Sequence, residues 1–444
     1  MAKRGNLIDT AMAKENVYLE SKPRYEILDG LRGVAAFMVI LFHLFETYCP
    51  PGAQQHINHG YLAVDFFFVL SGFVIGYAYD DRWGKMTTWG FFKRRITRLH
   101  PMVIAGTVIG LAMFYFGATA FPAVLEAPAW KVFVCFVMAL FMIPTGPKMD
   151  IRGWGETNSF NGPNWSLTLE YIGNILYAFI FRRLPTVILC IIAALSAVLT
   201  LDLTLGWDIF GFFPVNQVTM PDGSVAATGG PQYSVIGGWS LTGQQIYIGF
   251  SRLLYPFLCG LVISRILPKH RSESNPSGSP IHAKGGFWWA SLLLIIIFAV
   301  PCIGGKPGVA NGVYQAVAIL VIFPLIVLLG AGSKTTHAFS TKVCKFLGDI
   351  SYPIYITHFP IIYAHMSFAR AHADAPAWIH VLSAIGVIIL SVILAWGVVK
   401  IYDEPVRDWL KRTWLKGEQK LPLSLKLSAG TLAVAAVAVW LAAR

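Results

Sequence analysis

Apolar runs close to the ~18-residue length that crosses a bilayer as a helix recur along the whole chain, at 34–48, 288–303, 313–329 and 379–399 among others. Short stretches rich in Pro, Gly and charged residues separate them. The pattern predicts helices near 27–48, 61–79, 101–118, 165–181, 186–203, 246–267, 287–303, 310–330, 347–368 and 378–400, and a last one at 427–442. The expected fold class is all-α: a polytopic transmembrane bundle of about ten core helices plus one carboxy-terminal helix. Composition agrees, since 55% of the 444 residues are hydrophobic and 13% charged, against roughly 25% charged in a soluble domain.

Charge then orients the bundle. Lys and Arg number 35 against 23 Asp and Glu; in a membrane chain such an excess marks cytoplasmic loops rather than a nucleic-acid partner. Residues 1–24 carry Lys3, Arg4, Lys14, Lys22 and Arg24 and no apolar core, so they read as a cytoplasmic segment and not as a cleavable signal peptide. Basic clusters at 82–98, 182–183, 265–271, 334–345 and 400–426 fall on the same side if the short apolar segment 131–145 is re-entrant or tucked. The Gly- and Pro-rich stretch 204–243 becomes the longest external loop, and 272–280 a flexible cytoplasmic linker. The chain divides into a cytoplasmic segment (1–24), a membrane domain (25–410), and a tail with the extra helix (411–444). Its six cysteines lack CxxC spacing and read as small core residues, with no metal site expected.

Ionisable residues inside the apolar runs each need a reason, because a charge at the bilayer centre costs at least ~2.5–3.5 kcal/mol. Helix one carries Asp29, Arg32 and His43, helix two Asp65, the helix at 165–181 Glu170, and a late helix His358. Counting from the helix ends places His43, Asp65 and Glu170 at similar depth in the outer half. Arg32, eleven residues earlier, lies about 16 Å toward the cytoplasm and on roughly the same face. An imidazole oriented by a carboxylate takes a proton from an attacking hydroxyl. Asp65 and Glu170 are both candidates for that carboxylate, and the choice stays open. Arg32, Arg95 and Arg98 at the cytoplasmic end suit the phosphates of a soluble donor. Taken singly each has a plainer reading: His43 and His358 as hydrogen-bonded core residues, Arg95 and Arg98 as an orientation signal, Asp29 as a helix-start residue. A transporter with a buried His/Asp/Arg pathway is the main rival.

The local sequences shift that balance. Residues 25–43, from Tyr-Glu-Ile-Leu-Asp29-Gly-Leu-Arg32 to Leu-Phe-His43, resemble the opening helix of acyltransferase family 3, whose hallmark is a basic residue, ten intervening residues and a histidine. Val64-Asp65-Phe-Phe-Phe-Val-Leu-Ser71-Gly looks like the family's second helix. Lys93-Arg-Arg95-Ile-Thr-Arg98 looks like its arginine-x-x-arginine segment, although His100 stands where an aromatic is more usual. Asn164-Trp165-Ser-Leu-Thr-Leu-Glu170, Ile350-Ser-Tyr352-Pro-Ile-Tyr-Ile-Thr-His358 and Tyr402-Asp-Glu-Pro-Val-Arg407 follow in the family's order. The resemblance covers about 25–410. It implies an integral protein of the bacterial inner membrane that transfers an acyl group, commonly acetyl, from cytoplasmic acyl-CoA as co-substrate to a hydroxyl of an extracytoplasmic glycan or related acceptor. It implies His43 as the essential residue and Arg95 with Arg98 near the donor path; Arg32 is expected to join them in donor binding, and no permanently bound cofactor is expected. Asp29, Ser71, Trp165, Tyr352 and His358 are expected to support the acceptor or the structure. Many family members carry a fused extracytoplasmic domain, so the group goes either to the acceptor directly or to a separate partner.

Overall fold

The computed structural model describes residues 22, 24–49, 55–117, 120–219, 225–267, 281–335 and 337–416. The predicted linker 272–280 and the helix at 427–442 lie outside the described residues. The rest is a helical membrane bundle in which seven helices are long and apolar enough to span a bilayer.

In chain order the main helices are α1 (Glu26–Glu46), α2 (Ala63–Tyr79), α3 (Thr88–Phe116), α4 (Ala129–Leu140), α5 (Asn164–Phe179), α6 (Thr186–Leu205), α7 (Gly243–Ile266), α8 (Gly286–Ala299), α9 (Val309–Gly332), α10 (Ala338–Ala371) and α11 (Ala377–Leu415). The segment read as the longest external loop carries an antiparallel hairpin, β1 (Val215–Thr219) against β2 (Val225–Gly229), with Val215 opposite Gly229. Helix α4 has 12 residues, about 18 Å against a hydrocarbon core of roughly 30 Å. Its length fits the tucked segment expected at 131–145.

Two helices begin well before the expected positions, and α11 runs on past position 400. Helix α3 begins at Thr88, where the Thr87 side chain accepts from the Gly90 amide at 2.9 Å as an N-cap. Arg95 and Arg98 therefore project from a helix and not from a loop. Helix α10 has 34 residues and starts well before position 347, despite Pro353 and Pro360 within it. A proline removes the hydrogen bond to the carbonyl four residues earlier. At Pro360 that carbonyl belongs to Ile356, and it accepts from Asn161 Nδ2 at 2.6 Å. The same device acts in α9: Pro324 follows a π-turn at Ala318–Ile322, and the Leu320 carbonyl accepts from Tyr255 Oη at 2.7 Å. At these two positions the proline-freed carbonyl thus becomes a docking point for another segment.

Helix α1 lies along α10, and α2 along α7. Helices cannot gain from expelling water inside lipid, so close backbone approach must supply the packing. Gly72 and Gly260 provide it at the α2–α7 crossing. A β-carbon at Gly72 would sit 1.9 Å from the Phe257 carbonyl oxygen, and one at Gly260 2.0 Å from that of Val69. Only 17% of the apolar window of α11 is buried, so its Val381, Ile385 and Ile389 face lipid.

Candidate active site

His43 sits three residues before Glu46 on the last turns of α1, and its Nδ1 is 2.7 Å from Glu46 Oε2. An ionised carboxylate only accepts, so Nδ1 carries the proton and Nε2 is left as a base. Three rings hold the imidazole in place. His358 stacks on it at 5.7 Å, and Phe359 and Phe42 meet it edge-on at 4.6 and 5.0 Å. His358 is fully buried; its Nδ1 donates to the carbonyls of Ile354 and Tyr355 at 3.0 Å, and its Nε2 has no partner among the described residues.

Neither carboxylate expected to orient His43 does so. Asp65 is buried against Arg252, with 2.7 Å between Oδ2 and Nη2 and 3.2 Å between Oδ1 and Nε. The same guanidinium donates to the carbonyls of Tyr61 and Gly237 at 2.6 and 3.2 Å. Glu170 Oε1 accepts from Arg95 Nη2 at 2.8 Å and from Ser71 Oγ at 3.2 Å, in a different cavity from His43. Counting from helix ends placed Glu170 level with His43 because it took the start of α5 as a surface point. Instead residues 156–167 are buried almost without interruption, so the loop dips into the bundle and α5 starts inside it.

Two cavities result. One, of about 490 Å³, holds His43 and Glu46 with Trp154, Glu156, Trp165 and Arg252. The other, of about 210 Å³, holds Arg32, Ser71, Arg95, Arg98, Glu170 and Tyr352. They share Val64 and Tyr355 as walls. Tyr355 is held there by a 2.6 Å hydrogen bond with Ser166 Oγ. Arg32 donates from Nε to Ser351 Oγ at 2.9 Å and from Nη2 to Asp29 Oδ1 at 3.1 Å. Tyr352 Oη donates to the Leu99 carbonyl at 2.8 Å. Trp165 lies under Arg252, 5.1 Å from the guanidinium carbon to the ring centroid.

The structure thus brings Arg32, Arg95, Arg98, Ser71, Glu170 and Tyr352 together, and sets His43 with Trp165 in the second chamber. Three members escaped the sequence reading. Arg252, a charge inside an apolar helix, carried the same signal as Asp65. Glu46 stood one turn after His43 in what read as the helix end. Glu156 lies in an irregular segment and gave no periodic signal.

The family model described as an acyltransferase domain matches residues 25–399. The chain is 25% identical over 347 residues to the peptidoglycan O-acetyltransferase OatA of Listeria monocytogenes, covering 76% of this chain and 49% of that protein. It is 29% identical over 163 residues to a Rhizobium radiobacter protein named Protein 2 in picA locus, covering 35% of this chain and 81% of the relative. The chain therefore spans about half the length of the Listeria relative. No solved structure matches. With the family match running over most of the chain and onto each element that builds the two chambers, this integral membrane protein belongs to acyltransferase family 3.

Proposed function

We propose that the protein is an O-acyltransferase that moves an acyl group, acetyl in the first instance, from acyl-CoA in the cytoplasm to a hydroxyl of an extracytoplasmic glycan. The observation that carries the reading is the pair of chambers meeting at Val64 and Tyr355, one lined by arginines and the other by the His43–Glu46 pair. Such an arrangement lets two substrates approach one reacting centre from opposite sides. The positive-inside distribution of basic residues supports reading the arginine chamber as cytoplasmic, in a bacterial inner membrane.

Arg32, Arg95 and Arg98 hold the phosphates of the donor, and its arm passes Tyr355 with the thioester toward His43. Glu46 keeps the imidazole in the tautomer whose Nε2 accepts a proton. Nε2 takes the proton of the acceptor hydroxyl as the oxygen bonds to the thioester carbonyl carbon. The carbon–sulfur bond then breaks, the thiolate leaves, and the imidazolium returns its proton to sulfur. The products are the acyl ester and free CoA thiol.

Reconstituted protein given [acetyl-14C]acetyl-CoA and an envelope glycan fraction tests this. Label is expected on the glycan, with one CoA thiol released per ester, and none in a folded His43→Ala variant. Full transfer by His43→Ala overturns the reading. Label held covalently by the protein replaces the proton-transfer route with an acyl-histidine one. Rapid flux of an intact solute with no thiol release points instead to a transporter.

A further inference from the structure

Glu156 lines the His43 chamber although it belongs to the irregular segment before α5. Its Oε2 accepts from Tyr363 Oη at 2.8 Å. Tyr363 is fixed from two sides: the Arg152 guanidinium lies 3.5 Å from its ring centroid, and Phe359 packs edge-on at 4.6 Å. Phe359 is also the ring that meets His43 at 4.6 Å. A ladder of contacts from His43 through Phe359 and Tyr363 therefore sets where the Glu156 carboxyl stands. Gly162 makes room for it, since a β-carbon there would come within 2.4 Å of Oε1. Tyr363 takes up Oε2, whereas Oε1 has no hydrogen-bond partner among the described residues.

A buried carboxyl with a spare oxygen needs a hydrogen-bond partner. The chamber around it is lined by the indoles of Trp154, Trp165 and Trp239, which offer flat apolar faces beside a polar tip. That combination suits a ring carrying several hydroxyls. We infer that Glu156 is an acceptor-binding residue, its carboxyl taking a hydroxyl of a polyhydroxylated acceptor neighbouring the one that His43 deprotonates. The inference rests on the acyl-transfer reading given above. Ionisable groups face this carboxyl from every side. Glu46 and His43 come from α1, Asp150 and Arg152 from its own segment, Tyr363 and Arg370 from α10, and Arg252 from α7. Burial pushes the carboxyl up to about 7, against the pull of Arg152 and the Tyr363 hydrogen bond. Near neutrality it therefore exchanges its proton, and the ionised form grips a hydroxyl more strongly.

The test uses the full chain in membrane vesicles with [acetyl-14C]acetyl-CoA, scoring CoA thiol release and the fraction of label delivered to envelope glycan rather than to free acetate. In Glu156→Gln the delivered fraction is expected to fall roughly 10- to 100-fold, with thiol release kept within a few-fold as water replaces the acceptor. The rise in the delivered fraction as native protein is taken from pH 6 to pH 8 is expected to vanish in this variant, and Glu156→Asp to restore part of that fraction. Native partition and native pH dependence in Glu156→Gln overturn the assignment. So does a parallel fall of thiol release and delivery that Glu156→Asp does not relieve, which marks a purely structural role. If native protein releases no thiol at all, the donor reading falls, and this inference with it.

Discussion

Asp65→Asn separates a structural carboxylate from a chemical one. The carboxylate of Asp65 and the guanidinium of Arg252 are both buried, with side-chain exposures of 1% and 2%. They are joined by hydrogen bonds of 2.7 and 3.2 Å. Each hydrogen bond to a charged group contributes about 1.5–3 kcal/mol, so replacing the carboxylate by an amide forfeits on the order of 3–6 kcal/mol. Removing one partner of a buried ion pair costs about 3–5 kcal/mol for the same reason: the other charge is stranded without water. Arg252 keeps its bonds to the Tyr61 and Gly237 carbonyls, so the lower half of that range, about 3–4 kcal/mol, is expected. Denaturant unfolding in detergent micelles reads the loss. Replacing both partners instead, Asp65→Leu with Arg252→Met, strands no charge and is expected to return most of the stability, because an apolar pair of similar volume replaces a buried ion pair at little cost. The reasoning is refuted if Asp65→Asn unfolds like the native protein, or if the double variant is no more stable than the single one.

Three further outcomes are expected. Glu46→Gln keeps the volume of the side chain that holds His43 Nδ1 at 2.7 Å but loses the charge assistance, so transfer slows roughly 10- to 100-fold with unchanged unfolding; single-turnover label transfer on folded protein measures it. Glu156 is driven up to about 7 in the folded protein from an ordinary value of 4.5, so ionising it costs stability as pH rises from 4.5 to 7 and the cost is constant above. Glu156→Gln is therefore expected to gain on the native protein by about 3 kcal/mol between pH 4.5 and pH 8, as parallel unfolding titrations would show; a constant difference contradicts it. Gly72→Ala places a β-carbon 1.9 Å from the Phe257 carbonyl oxygen, which forces α2 and α7 apart and is expected to lower the yield of folded protein sharply in size-exclusion profiles. Ala-like stability there would mean that the crossing is looser than its geometry.

The helical membrane architecture was readable from sequence because lipid imposes a local rule: a spanning segment must be predominantly apolar and must satisfy its backbone within itself. Ordered motifs likewise pointed to His43 and the arginines, because these residues sit on regular helices with fixed spacing. Partnership was different. Which carboxylate meets which cation depends on how α1, α2, α5 and α7 rotate and how deep each begins, and neither is encoded within one helix. Burial of the segment before α5 lowered Glu170 into the arginine chamber and lifted Glu156 into that of His43. Arg252, 187 positions from Asp65, claimed the carboxylate that spacing had offered to His43. His43 was left to its own helix neighbour, Glu46. Segment length and apolarity are properties of the chain alone, whereas ion pairing in a low-dielectric interior is won by whichever opposite charge packing brings within about 3 Å, and only the assembled bundle decides that.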